Sequence, residues 1–137
     1  MKIGEFAERT GLSKDTIRYY EKVDLLHPQI VNKHREYNEQ DIVVIETILK
    51  LKQTGFSLHE IKILFEWSGN TDQNKKLTNE EIQRLFQIKE TFQKKYKQMV
   101  QKEQHIKQIK QVLLKADDKI EQLLERNKDK SSTTSDF

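Results

Sequence analysis

Many side chains in this sequence could do chemistry, but few are spaced to do it together. The four histidines, His27, His34, His59 and His105, are scattered and offer no shared metal face. His59-Glu60 is half of a metalloprotease motif without its second histidine. Glu80-Glu81 and Asp117-Asp118 are chain neighbours, which point in different directions on a helix and so make no paired-carboxylate site. No Ser/His/Asp spacing and no glycine-rich phosphate loop is present. The chain has no cysteine, which excludes a disulfide framework, a zinc finger, an iron–sulfur cluster and thiolate redox chemistry. One spacing does recur, and it is cationic. Lys14, Arg18 and Lys22 are four apart and share one face of a helix. The sequence therefore predicts no enzyme, no metal and no cofactor.

The elements that would position those cations are well punctuated. Ile3, Phe6 and Ala7 form the apolar face of a short helix, and Gly11 follows where a left-handed C-terminal residue is expected. Ser13 is a good N-cap for a second helix through Lys22, with Ile17 and Tyr20 facing inward. Two short helices joined by a glycine-containing turn are the ingredients of a helix-turn-helix, whose second helix enters the DNA major groove. They are equally the ingredients of two packed helices. Around Pro28, the only proline, Gln29–Val31 and Arg35–Tyr37 read as strands flanking an Asn32-Lys33-His34 turn, a small hairpin without the usual glycine. Asn38 with Asp41, and Ser57 with Glu60, are capping signals for two further helices. Ile42, Ile45, Ile48 and Leu49 line the first, and Ile61, Leu64 and Phe65 the second, which closes at Ser68-Gly69-Asn70. Trp67 is expected to pack where this helix ends.

Thr78 and Glu81 begin a different kind of segment. No glycine or proline follows, and one apolar position recurs every seven residues at Leu85, Phe92, Met99, Ile106, Leu113 and Ile120. A helix this polar cannot bury such a stripe alone, which predicts a homodimeric coiled coil using Leu85, Phe92, Met99, Ile106 and Leu113. The organisation expected is a domain over 1–70, a linker over 71–77, a dimerisation helix over 78–125 and a flexible tail over 126–137.

Composition agrees with a mostly helical chain having one small core. Of 137 residues, 34% are hydrophobic and 34% charged, lean for a globule. The formal charge is +3, but it is uneven. Residues 1–70 hold 10 Lys/Arg against 11 Asp/Glu, a net −1, and residues 71–137 hold 15 against 11, a net +4. No apolar run could span a membrane and no signal-peptide core begins the chain, so a cytoplasmic address is expected.

The stretches IGEFAERTGLSKDTIRYYEKVDLL (3–26), REY (35–37) and DIVVIETILKLKQTGFSLHEIKILF (41–65) closely resemble the MerR family of bacterial transcription regulators. The resemblance covers about half the chain. It implies a mostly α fold: a winged helix-turn-helix with a small β-hairpin wing, followed by a long helix forming an antiparallel dimer coiled coil. It also implies a homodimer on a near-palindromic operator in double-stranded promoter DNA. Activating members bend and untwist the promoter spacer so that RNA polymerase meets both promoter elements. An effector selects between two protein conformations.

The resemblance also assigns residues. Arg18 would reach a guanine edge or a phosphate. Tyr19 would touch backbone or a base methyl, and Lys14 and Thr16 phosphates. Asp15 suits the helix dipole and receives no contact. Arg35 is the wing's phosphate contact, and Tyr37 either meets DNA or packs the wing onto the domain. The wing of the family usually reads Gly-Tyr-Arg. Here Lys33-His34-Arg35 stands in its place, Lys33 supplying charge and His34 a smaller donor, in a hairpin that looks one residue short. Thiolate sensing is excluded by composition, which leaves a small-molecule or protein effector, or none. A rival reading, favoured by the net −1 of residues 1–70, is a coiled-coil interaction protein using a degenerate winged domain for protein contacts.

Overall fold

The computed structural model describes residues 1–69 and 72–135. It divides into two compact units, Met1–Leu77 and the chain from Thr78 onward.

In the first unit, α1 (Ile3–Thr10) and α2 (Lys14–Lys22) lead into a hairpin of β1 (Gln29–Val31) and β2 (His34–Glu36), followed by α3 (Glu39–Gln53) and α4 (Leu58–Trp67). Local chemistry sets each boundary. Gly11 ends α1 in the left-handed conformation, φ 74°, and its N–H returns to Ala7 O at 2.9 Å. Ser13 Oγ accepts from the Thr16 N–H at 3.1 Å and starts α2. Asn38 with Asp41, and Ser57 with Glu60, form reciprocal capping boxes at the heads of α3 and α4. All four signals are those expected from the sequence.

Amphipathic faces meet in one core. Phe6 of α1, Ile17 and Tyr20 of α2, Leu25, Leu26, Tyr37, then Ile42, Ile45, Ile48 of α3 and Ile61 of α4 are buried together. Ile3, Ala7, Leu49 and Phe65, which the helical spacing also points inward, are partly buried against this core.

The hairpin differs from expectation. Its register is Gln29↔Glu36, Ile30↔Arg35, Val31↔His34. The loop is therefore Asn32-Lys33 alone, and His34 opens β2 rather than closing the turn; Tyr37 follows the strand. Asn32 and Lys33 both have positive φ, 51° and 64°, the two-residue turn whose twist matches the strands. The chain start closes the base of the hairpin: the Tyr37 N–H donates to Met1 O at 2.8 Å, and the Met1 ammonium donates to Tyr37 O at 2.6 Å.

The second unit is one helix, α5 (Asn79–Ser135), of 57 residues. At 1.5 Å per residue it is about 85 Å long. Thr78 caps it: the Glu81 N–H donates to Thr78 Oγ1 at 3.2 Å. The helix continues past 125, into the segment expected as a flexible tail, because residues 121–130 are mostly good helix formers and no glycine or proline intervenes. Residues 136 and 137 of that tail, and 70 and 71 at the linker, lie outside the described residues. Ile106, Ile109, Leu113, Ile120 and Leu123 are exposed along this helix.

Candidate nucleic-acid interface

The expected contact residues divide between α2 and the hairpin. Lys14 begins α2 and is exposed, and Thr16 is half-buried with Oγ1 2.9 Å from Ser13 Oγ. Because Ile17 and Tyr20 turn into the core, Arg18 and Tyr19 turn out of it; the Arg18 side chain is 59% exposed and Tyr19 49%. Arg18 Nη1 lies 3.3 Å from Asp15 Oδ1, an exposed pair one turn apart that carries little stability and can open to a phosphate. In the hairpin, Lys33, His34 and Arg35 are all exposed.

Arg35 reaches back to α2. Its Nε donates to Glu21 Oε1 at 2.7 Å and Oε2 at 2.8 Å. That hydrogen bond, followed by the carboxylate's charge, raises the guanidinium's pKa further. The two Nη groups stand outside this pairing, free to form the planar fork that suits phosphate. Arg18, Arg35, Lys2 and Lys22 line one open cleft of about 500 Å³, with Glu21 as its acid. Helix α2 and the hairpin thus present their cations to a common space.

Tyr37 is the exception among the expected contacts. It is 1% exposed and its ring stacks on Phe6. Of the two roles open to it, the structure supports packing. Its hydroxyl is buried without a hydrogen-bond partner, and burial, then the Glu21 charge, raises its pKa.

Sequence reasoning missed Lys2 and Glu21. Nothing in the pattern marks Lys2, which arrives through the pairing of Met1 with Tyr37. Glu21 did carry a signal: it is an acid among Lys14, Arg18 and Lys22 on a helix otherwise suited to anions. One acidic group also differs from expectation. Carboxylate oxygens of Asp117, Asp118 and Glu121 lie within 4.8 Å of one another, all exposed, because Glu121 is one turn beyond both aspartates.

Residues 1–66 match the family model described as MerR HTH family regulatory protein. An uncharacterized HTH-type transcriptional regulator of Pseudomonas aeruginosa is 33% identical over 106 residues, 68% of this chain and 80% of that protein. The probable heavy metal-dependent transcriptional regulator of Haemophilus influenzae is 38% identical over 111 residues, 77% of this chain and 84% of that one. The chain belongs to the MerR HTH family. A MerR family transcriptional regulator from Listeria monocytogenes is similar in fold, with TM-score 0.50 at 24% identity, covering 88% of this chain and 83% of that one.

This MerR-family chain is a DNA-binding transcription regulator with a small β1–β2 hairpin as its wing. The relatives lend nothing to the rival reading as an interaction protein. Among the described residues no helix is long and apolar enough to cross a membrane.

Proposed function

We propose that the chain works as a homodimer on a near-palindromic promoter operator, one winged unit per half-site, and alters transcription by distorting the promoter spacer for RNA polymerase. The observation that carries this reading is the shared cleft of Arg18 and Arg35. A recognition-helix cation and a wing cation set side by side can hold one stretch of duplex backbone in a defined orientation. Lys14, Thr16 and Tyr19 extend the contact along α2, and Lys33 and His34 along the wing. The exposed row of Ile106, Ile109, Leu113, Ile120 and Leu123 along α5 supports the dimer, because such a row is otherwise a liability in water. With no cysteine in the chain, any effector acts by a route other than thiolate ligation, whether a small molecule or a protein.

Selection from a random duplex library tests the reading, with gel-shift titration and sedimentation. Enrichment of an inverted repeat is expected, with affinity falling steeply as salt rises. Arg18→Ala and Arg35→Ala should each weaken binding and leave the dimer intact. Met99→Glu or Ile106→Glu should yield monomers that bind poorly. No enriched sequence, or unchanged affinity in both arginine variants, contradicts it.

A further inference from the structure

Glu21 is out of place on electrostatic grounds. It stands among Arg18, Lys22 and Arg35 in a cleft whose other charges suit a polyanion, and a carboxylate there subtracts from the attraction that phosphate contacts provide. Its geometry gives it another task. Glu21 lies in the last turn of α2 and binds Arg35 fourteen residues on, across the loop that joins helix to wing. Among the described residues no other ion pair links α2 to the hairpin. The carboxylate is the inner partner, 23% exposed against 54% for the guanidinium. Both of its oxygens engage Nε, the donor nearest the Arg35 backbone. The buried Tyr37 hydroxyl at the base of the wing feels the same charge.

We propose that Glu21 is a positioning residue for operator recognition: by tying Arg35 of the wing to the recognition helix, it sets how selective DNA binding is rather than how tight. The inference rests on the DNA-binding reading of the cleft. Without Glu21, Arg35 remains a cation, but one that samples many orientations. A scattered cation serves any duplex. A fixed Arg35 beside Arg18 serves a duplex whose backbone follows one path, and that path depends on sequence.

The test uses the full chain as wild type, Glu21→Ala, Glu21→Asp, Arg35→Ala and the Glu21→Ala/Arg35→Ala double variant. The probes are the duplex enriched by the wild type from a random library and a scrambled duplex of the same composition. For Glu21→Ala, binding to the scrambled duplex should stay level or tighten, while binding to the enriched duplex weakens, so that their ratio falls about tenfold. Glu21→Asp should recover part of the ratio. In the Arg35→Ala background, removing Glu21 should change the ratio little, because it acts through Arg35. An unchanged ratio in a folded Glu21→Ala chain overturns the inference, as does an equal loss on both duplexes with a lowered melting temperature, which marks a structural role only. A wild-type chain that enriches no duplex overturns the DNA reading and this inference together; the other failures leave that reading standing.

Discussion

Tyr37 stacks on Phe6 with ring centroids 4.4 Å apart and planes 17° from parallel. The contact joins the end of the wing to the first helix, so a core aromatic anchors the wing beside its polar ties. Its hydroxyl is buried with no partner. Tyr37→Phe is therefore expected to leave stability unchanged or raise it by about 1 kcal/mol, since an unsatisfied polar atom is removed. Tyr37→Ala should cost about 3–5 kcal/mol. Urea unfolding measures both. Gel shifts on Tyr37→Phe should match wild type; a clear loss of affinity would mean that the hydroxyl turns out to meet DNA.

The Asn38–Asp41 box fixes where α3 begins, and hence where Ile42, Ile45 and Ile48 face. The Asp41 N–H donates to Asn38 Oδ1 at 3.0 Å and the Asn38 N–H donates to Asp41 Oδ2 at 2.9 Å. Asn38→Ala removes one arm and should destabilise the unit by about 1 kcal/mol. Asn38→Asp or Asn38→Ser should restore most of it, which separates capping from any loss of packing. Equal losses in all three variants would refute the capping account.

Two carboxyls make the winged unit acid-sensitive. A hydrogen bond from the Met1 ammonium holds Glu36 below the usual carboxylate range, and one from Arg9 does the same for Glu39. Groups whose folded pKa is depressed contribute stability above the ordinary value, and lose it as pH falls through the folded one. The melting temperature should therefore decline from about pH 4.5 downward. A Glu36→Gln/Glu39→Gln variant should melt slightly lower at neutral pH and show a flatter acid limb. Both groups are exposed, so the effect is small; a limb as steep as wild type would assign it to other groups.

Much of the first unit was legible because its signals are local. Ser13, Asn38 and Ser57 each cap within three residues, and Gly11 needs only its own backbone. Ile17 and Tyr20 follow from helical spacing. What escaped notice is set by contacts distant in sequence. Whether Tyr37 faces DNA or core depends on Phe6, thirty-one positions earlier. The Glu21–Arg35 tie spans an irregular loop with no period. Two positive φ values without glycine leave little compositional mark, so the sequence draws the turn one residue too long, through His34. The end of α5 has no local mark either: no glycine or proline follows Thr78, and polarity alone does not end a helix.

Lys33 illustrates a local conflict at the wing tip. At φ 64° it occupies a left-handed position where a Cβ is unfavourable by about 1 kcal/mol. Lys33→Gly should stabilise the unit by roughly that amount. It should also weaken binding to enriched and scrambled duplexes alike, and lower the salt slope by about 1, the mark of one lost phosphate contact. Higher stability with an unchanged salt slope would remove Lys33 from the interface.

The α5 stripe also specifies how two copies should pair. Beside the heptad positions Leu85, Phe92, Met99, Ile106, Leu113 and Ile120 stand Ile88, Lys95, Lys102, Ile109, Ala116 and Leu123, each three residues on. A parallel pair would set Lys95 and Lys102 against their own copies, Phe92 against Phe92 and Ala116 against Ala116. An antiparallel pair centred near Gln104 sets Leu85 on the partner's Leu123, Ile88 on the partner's Ile120 and Phe92 on the partner's Ala116. Lys95 then meets the partner's Leu113, Met99 the partner's Ile109 and Lys102 the partner's Ile106. Phe92 then opposes the small Ala116 of the partner, and each lysine lays its stem on an apolar neighbour with its ammonium in water. The cysteine-free chain makes this testable. In one helix Leu85 and Leu123 are 38 positions apart, about 57 Å, so they cannot join within a subunit. Under mild oxidation, Leu85→Cys/Leu123→Cys should form covalent dimers, and neither single variant should. If each single variant dimerises covalently, the pairing is parallel; if the double variant stays reduced while sedimenting as a dimer, the register is wrong.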